Sequence, residues 1–316
     1  MTGSRARATV ALMTFRTLPR HGLALLALLA SSLAVHAQQC PPAGESTVSL
    51  QALKIRGWKS PRLESPVARQ NLALGLAECL RDTNPQLRDE LALNGLQSMM
   101  REGQLEATTL QVLRTRLLAS LADPADATGF GKPFAALGLA EVVRADRIKP
   151  FLLPAERDDI VERSAAYLAG VRDYRGFDER EGWRHGVAHG ADLMVQLAVH
   201  PLLQRAQGET VLAAVASQVM PAGEHFYHYG EAERLMAPVF YLARRGWWKA
   251  DEWQRWLDAV VARLPHPEPM TQAGLAARHN LGSFLQALYV SVQEIGNDEV
   301  KNALLPGLRK AIKDVG

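Results

Sequence analysis

Apolar residues recur at helical spacing along almost the whole chain, and no stretch alternates apolar and polar side chains as a half-buried strand would. That single feature confines the fold to the all-α class, helices packed on helices. "SPVARQNLALGLAECLRD" opens with Ser65 placed as a cap and Pro66 at the first helical position, where a missing N–H costs nothing. "NPQLRDELALNGLQSMMREG" repeats the device with Asn84 and Pro85 and closes at Gly103. Helical spacing continues through "EATTLQVLRTRLLASLAD", "KPFAALGLAEVVRADR" and residues 155–171, then through 184–199, 208–219, 231–245, 250–263, 272–293 and 298–313. This predicts about eleven helices, with short connections punctuated by Pro or Gly, so that consecutive helices are antiparallel. None is long enough for a coiled coil or apolar enough to span a membrane. The units recur at roughly forty residues without sequence identity, the period of a HEAT-like α/α superhelix of stacked helix pairs, with an α/α toroid as the alternative.

The first 37 residues stand apart. Arg16 and Arg20 form a basic segment, and "GLALLALLASSLAV" is apolar but too short for a bilayer. Val35 and Ala37 are small residues at the two positions a signal peptidase reads, so a Sec signal peptide over 1–37, starting at Met1 or Met13, is expected to be cleaved before Gln38. Residues 38–316 then form one all-helical domain in the periplasm or outside the cell. The leader carries four of the 36 lysines and arginines and none of the 33 acids, which leaves the mature chain a net charge of −1 with histidine neutral. Such a chain has no electrostatic call on nucleic acid. In an oxidising compartment, Cys40 and Cys79 are expected to pair, tying "QQCPPAGES" to the end of the helix that holds Cys79.

Chemistry concentrates in two stretches. In "GWRHGVAHGADL", His185, His189 and Asp192 stand at i, i+4 and i+7, which on one helix places them within about 60° of each other. Two imidazoles a turn apart with a carboxylate could hold a divalent metal such as zinc, although Gly186 occupies the place of the glutamate in the zincin motif. Gly182, Gly186 and Gly190 form a small-residue stripe beside them, suited to the close approach of a neighbouring helix or a ligand. The second stretch, "EHFYHYGEAERL", gathers His225, His228, Glu231 and Glu233 around aromatic residues and a turn at Gly230. Its acids fall where a following helix would present its positive end. Arg234 is placed to pair with Asp192 or a ligand carboxylate, and Arg175 to cap a carboxylate. Asn280 sits on an apolar helical face and must find a hydrogen-bond partner.

The blocks "NPQLRDELALNGL", "KPFAALGLAEVVRADRIKPFL", "RDYRGFDEREGWRHGVAHGADLM", "GEAERL" and "NLGSFLQALY" resemble, in order, those of a bacterial family known as domain of unknown function 2785. The resemblance implies an all-helical protein and no particular reaction. From the residues, two functions of different class follow. The first is a helical-repeat protein that binds a protein partner or small ligand on a concave face lined by Arg175, Trp183, His185, His189, Asp192, His228, Glu231, Glu233, Arg234 and Asn280. The second is a metal-assisted or acid/base hydrolase using His185, His189, Asp192 and Glu231.

Overall fold

The structure is a computed structural model that describes residues 40–264 and 271–316; the expected signal peptide, 1–37, lies outside the described residues. Among the described residues there are twelve α-helices: α1 (Thr47–Ile55), α2 (Pro66–Glu78), α3 (Asn94–Arg101), α4 (Ala107–Leu121), α5 (Gly131–Ile148), α6 (Pro154–Gly170), α7 (Gly186–Ala198), α8 (Arg205–Val219), α9 (Glu231–Ala243), α10 (Ala250–Val261), α11 (Gln272–Glu294) and α12 (Asp298–Val315). A π-helical stretch, Gln86–Leu93, runs into α3. Between α6 and α7 a short antiparallel hairpin pairs β1 (Phe177–Asp178) with β2 (Gly182–Trp183). Among the described residues the fold is all-α apart from this hairpin.

The caps are built as the sequence suggests. The Ser65 hydroxyl accepts from the Ala68 N–H, with Pro66 at the first helical position. Gly103, at φ +67°, follows the end of α3. Three elements differ from the sequence reading. Helix α1 has only Leu50 and Leu53 buried while Val48 and Ile55 face solvent, so its apolar spacing is too weak to read. The expected helix from Asn84 to Gly103 splits into π and α segments. The expected helix 184–199 begins only at Gly186, because the chain enters it from the hairpin.

Helices α3, α5, α7, α9 and α11 touch in succession, and α2, α4, α6 and α8 do the same in a second row. The rows meet where α4 packs on α5, α6 on α7 and α8 on α9, while α10 and α11 both pack on α12. Helices α5 and α7 are covered most completely: Phe134, Leu139, Val142, Leu193 and Met194 are all at 2% exposure or below. Two close ring and charge contacts set the direction of that row. His189 meets Phe134 at 5.2 Å between ring centroids, and His185 lies 3.5 Å from Glu231. The first turns of α5, α7 and α9 therefore stand side by side at one edge.

Cys40 and Cys79 form a disulfide with 5.3 Å between Cα atoms, and it ties the 40–46 segment to the end of α2. Pro42 comes so close to α2 that a Cβ at Gly75 would lie 2.6 Å from the proline Cβ. The bond closes a loop of 39 residues, which on chain entropy is worth up to about 4 kcal/mol. Alkylation of the unfolded, unreduced protein should therefore label neither cysteine. The paired variant Cys40→Ala, Cys79→Ala should unfold at lower denaturant by a margin approaching that figure. Full labelling without reductant would contradict the bond.

Candidate functional site

The edge is organised by a charged side chain that the solvent does not reach. Arg88, on the π-helical stretch, is 0% exposed. Its Nη1 donates to the Asp82 carbonyl at 3.0 Å and its Nη2 to the Glu181 carbonyl at 2.7 Å, while Nε lies 2.6 Å from the Asp89 carboxylate. The guanidinium also lies 3.8 Å from the Phe130 ring centroid and 4.8 Å from that of Phe134. Burial pulls its pKa down from the ordinary arginine value, against the Asp89 charge beside it. These bonds hold the hairpin against the start of the π-helix. The approach is close: a Cβ on Gly182 would lie 2.9 Å from Pro85 and 3.0 Å from Arg88 Nη2, and φ there is +76°. Gly182 thus serves the hairpin, not a helical stripe. Gly190 does face a neighbouring helix, since a Cβ there would meet Leu168 at 3.0 Å.

The hairpin delivers His185. Strand-like pairing continues past the hairpin, with the Arg184 N–H donating to the Gly176 carbonyl at 2.9 Å and the His185 N–H to the Arg175 carbonyl at 3.0 Å. His185 then takes a left-handed conformation, φ 52°, ψ 42°, as the N-cap of α7. This is an uncommon backbone state for a residue with a side chain, and histidine is among those that tolerate it best. The turn lays the imidazole flat on Trp183, centroids 4.8 Å apart and planes at 21°. Nε2 lies 3.5 Å from Glu231 Oε1. Glu231 is almost fully buried at the start of α9. Burial alone would raise its pKa, but His185 and the Tyr229 N–H, which donates to Oε2 at 2.9 Å, bring it below the usual glutamate value. Tyr229 closes the group, edge-on to Trp183 at 5.6 Å, and packs on Gly176, where a Cβ would fall inside its ring.

The remaining expected site residues divide. His189 lies behind His185, 5.7 Å away, with its ring edge to Phe134 and no partner for Nδ1 among the described residues. Asp192 pairs with Arg234, so that the two stretches meet there as well; burial raises the Asp192 carboxyl and Arg234 opposes that rise. His228 is exposed and packs at a tilt against Tyr229, with ring centroids 4.3 Å apart. Glu233 is exposed on the first turn of α9. Arg175 turns away to Asp173, with Nε 2.8 Å from its carboxylate. Asn280 accepts from the Tyr227 N–H at 2.8 Å and donates to the His225 carbonyl at 2.9 Å, pinning that loop to α11.

The zinc expectation rested on His185, His189 and Asp192. Among the described residues no three His, Cys, Asp or Glu side chains are grouped to hold a metal ion. His185 stands as the left-handed cap ahead of α7, while His189 and Asp192 lie within the helix. The His185 imidazole lies flat on Trp183 with Nε2 3.5 Å from Glu231, and the Asp192 carboxylate pairs with Arg234. The sequence reading missed Arg88, Phe130, Arg184 and Tyr229. An arginine amid "QLRDELAL" reads as a solvated residue, and nothing local marks it as buried. The glycine at 182 was the available signal, since it keeps space for a close neighbour.

A family comparison matches residues 117–290 to the family described as protein of unknown function DUF2785. The chain belongs to that family. The matched DUF2785 segment contains His185, His189, Asp192, Glu231, Arg234 and Asn280, whereas Arg88, the block 84–96 and both cysteines precede it. No curated protein and no solved structure matches the chain.

Burial lowers the pKa of His189 from 6.5 to about 3, with His185, Arg234 and Arg88 adding repulsion. The unfolded imidazole takes its proton near 6.5 and the folded one only near 3. Between those values the unfolded state binds more protons, so this residue's share of stability is complete above pH 6.5. It is lost as pH falls, by up to about 1.4 kcal/mol per unit. Urea unfolding at pH 7, 6 and 5 should show an acid-side slope that His189→Gln reduces; equal slopes in the two proteins would contradict a neutral buried His189.

Proposed function

We propose that this is an exported helical-repeat protein, its helix pairs stacked in HEAT-like fashion, that binds a small ligand at the edge formed by Trp183, His185, Tyr229 and Glu231. The observation that carries the reading is the state of His185. Its Nε2 is buried and lacks a hydrogen-bond partner among the described residues, with Glu231 Oε1 just beyond bonding distance at 3.5 Å. Buried imidazole nitrogens are ordinarily satisfied, so an unpaired Nε2 beside a buried carboxylate supports a bonding partner supplied by a ligand. Beside them Phe177 and Trp183 remain 45% and 37% exposed, with ring centroids 5.0 Å apart, a large aromatic surface for a domain edge. A ligand that stacks a flat ring or sugar face on these aromatics and hydrogen-bonds to His185 and Glu231 suits this combination.

One feature favours the hydrolase reading as an alternative. His185 and the Glu231 carboxylate stand at near-bonding distance, an arrangement in which one of them could take a proton from a water. No serine or cysteine stands in contact with them among the bonds described, so a nucleophile would have to be that water.

A thermal-shift screen of sugars, purines and indoles against the full chain tests the binding reading, followed by the hits' affinities for His185→Ala and Glu231→Gln. The expected result is a saturable hit that each variant weakens at least tenfold while losing no more than about 2 kcal/mol of stability. Hits that bind both variants as well as the parent would overturn the site. Turnover of p-nitrophenyl esters or glycosides abolished by Glu231→Gln would replace binding with the hydrolase.

A further inference from the structure

A second opening lies near this edge and includes none of the imidazoles. It is a cleft of about 480 Å³ between the end of α4, the start of α5 and the last turns of α6, within the range of about 300–1,000 Å³ usual for small-molecule pockets. Part of its lining is apolar: Leu121, Pro133, Ala166 and Tyr167. The Tyr167 hydroxyl is already committed, donating to the Gly186 carbonyl at 3.1 Å.

The charged part of the lining is unbalanced. Lys132, Arg163 and Arg172 face Asp126 and Asp173 across the cleft lining. Both carboxylates are engaged elsewhere. Asp126 accepts from the Gly131 and Lys132 N–H groups at 3.1 and 2.8 Å, which caps α5, and Asp173 is bridged by Arg175. The two arginines each spend donors on backbone carbonyls: Arg163 on Leu118, Arg172 on Ala169 and Val171. Arg163 also lies 3.7 Å from Asp159. The Lys132 ammonium makes no contact ion pair among the described residues, although its charge acts on Asp123 outside the cleft. What the cleft offers is one cation without a contact ion pair, with further positive charge nearby, beside apolar surface.

We infer that this cleft binds an organic monoanion with an apolar body, a carboxylate on a hydrocarbon or aryl chain, with Lys132 holding the carboxylate. A phosphate is the poorer match. It favours a free arginine fork, and both forks here are partly used on carbonyls, while the apolar lining would gain nothing from it. Gly170 supplies a clean way to close the cleft. It lies in the last turn of α6 and lines the opening, and a Cβ added there meets nothing within 4 Å. A leucine at 170 would therefore enter open space without strain, and would favour the helix over glycine.

The test is isothermal titration of the full chain with decanoate below its micellar concentration, with butyrate, decanol and inorganic phosphate as comparisons. Decanoate should bind saturably at one site, with butyrate at least tenfold weaker and decanol and phosphate weaker still. Lys132→Gln should weaken decanoate about tenfold or more, and Gly170→Leu should abolish binding with no fall in melting temperature. Absence of saturable decanoate binding to the parent would overturn the inference, as would binding unchanged in Lys132→Gln. Phosphate binding as tight as decanoate would overturn the apolar part of it. Should Gly170→Leu not fold, the Lys132→Gln comparison decides.

Discussion

The functional edge hangs on the guanidinium of Arg88. A buried arginine is costly unless it is paired and bonded, and here the carbonyls of Asp82 and Glu181 accept from it, the Asp89 carboxylate balances its charge and the rings of Phe130 and Phe134 cover it. Apart from Asp89, which shares the π-helix with Arg88, those partners belong to four different segments: the loop before the π-helix, the hairpin, the loop before α5, and α5 itself. Once Arg88 has bound the hairpin, Gly182 is pressed against Pro85, Trp183 follows it, and the chain can reach Gly186 only by the left-handed turn at His185. The orientation of the imidazole is therefore a consequence of an interaction four helices earlier in the chain.

A second constraint is electrostatic. Helix first turns carry unsatisfied N–H groups and a partial positive charge, and those of α5, α7 and α9 lie together. Asp126 answers this at α5 and Glu231 at α9, where the carboxylate sits almost fully buried. Helix α7 has no acid in its first turn and no side-chain cap. The Glu231 carboxylate from the neighbouring helix approaches the α7 cap residue instead. The arrangement concentrates one buried carboxylate, two buried imidazoles and exposed aromatic surface at a single edge.

Much of this follows from local patterns that a sequence carries. Ser65 with Pro66, Asn84 with Pro85, and the 3.6-residue spacing of α4 to α12 identify helices because caps and burial act over a few residues. The pairing of Cys40 with Cys79 was legible because the chain has two cysteines and an N-terminus that reads as a signal peptide. Other features depend on distant contacts. A lone arginine in "QLRDELAL" has the same local signature whether solvated or buried, and its partner Glu181 is 93 residues away in sequence. The His185–His189–Asp192 spacing suggests a stripe only if all three residues are helical, and the hairpin that prevents this is too short to show alternation. Asn280 was legible as a residue needing a partner, but that its partners are the backbone of 225–227 emerges only from the packing of α11 on α9.

Hydrogen exchange of the amides of residues 175–185 in Arg88→Met, compared with the parent protein, tests this dependence most directly. If Arg88 holds the hairpin, the Arg184 and His185 amides, which donate to Gly176 and Arg175, should lose protection by at least tenfold while amides in α9 to α12 keep theirs, and binding at the Trp183–His185 edge should fall with them. Unchanged protection of these two amides in a folded Arg88→Met protein would contradict the account.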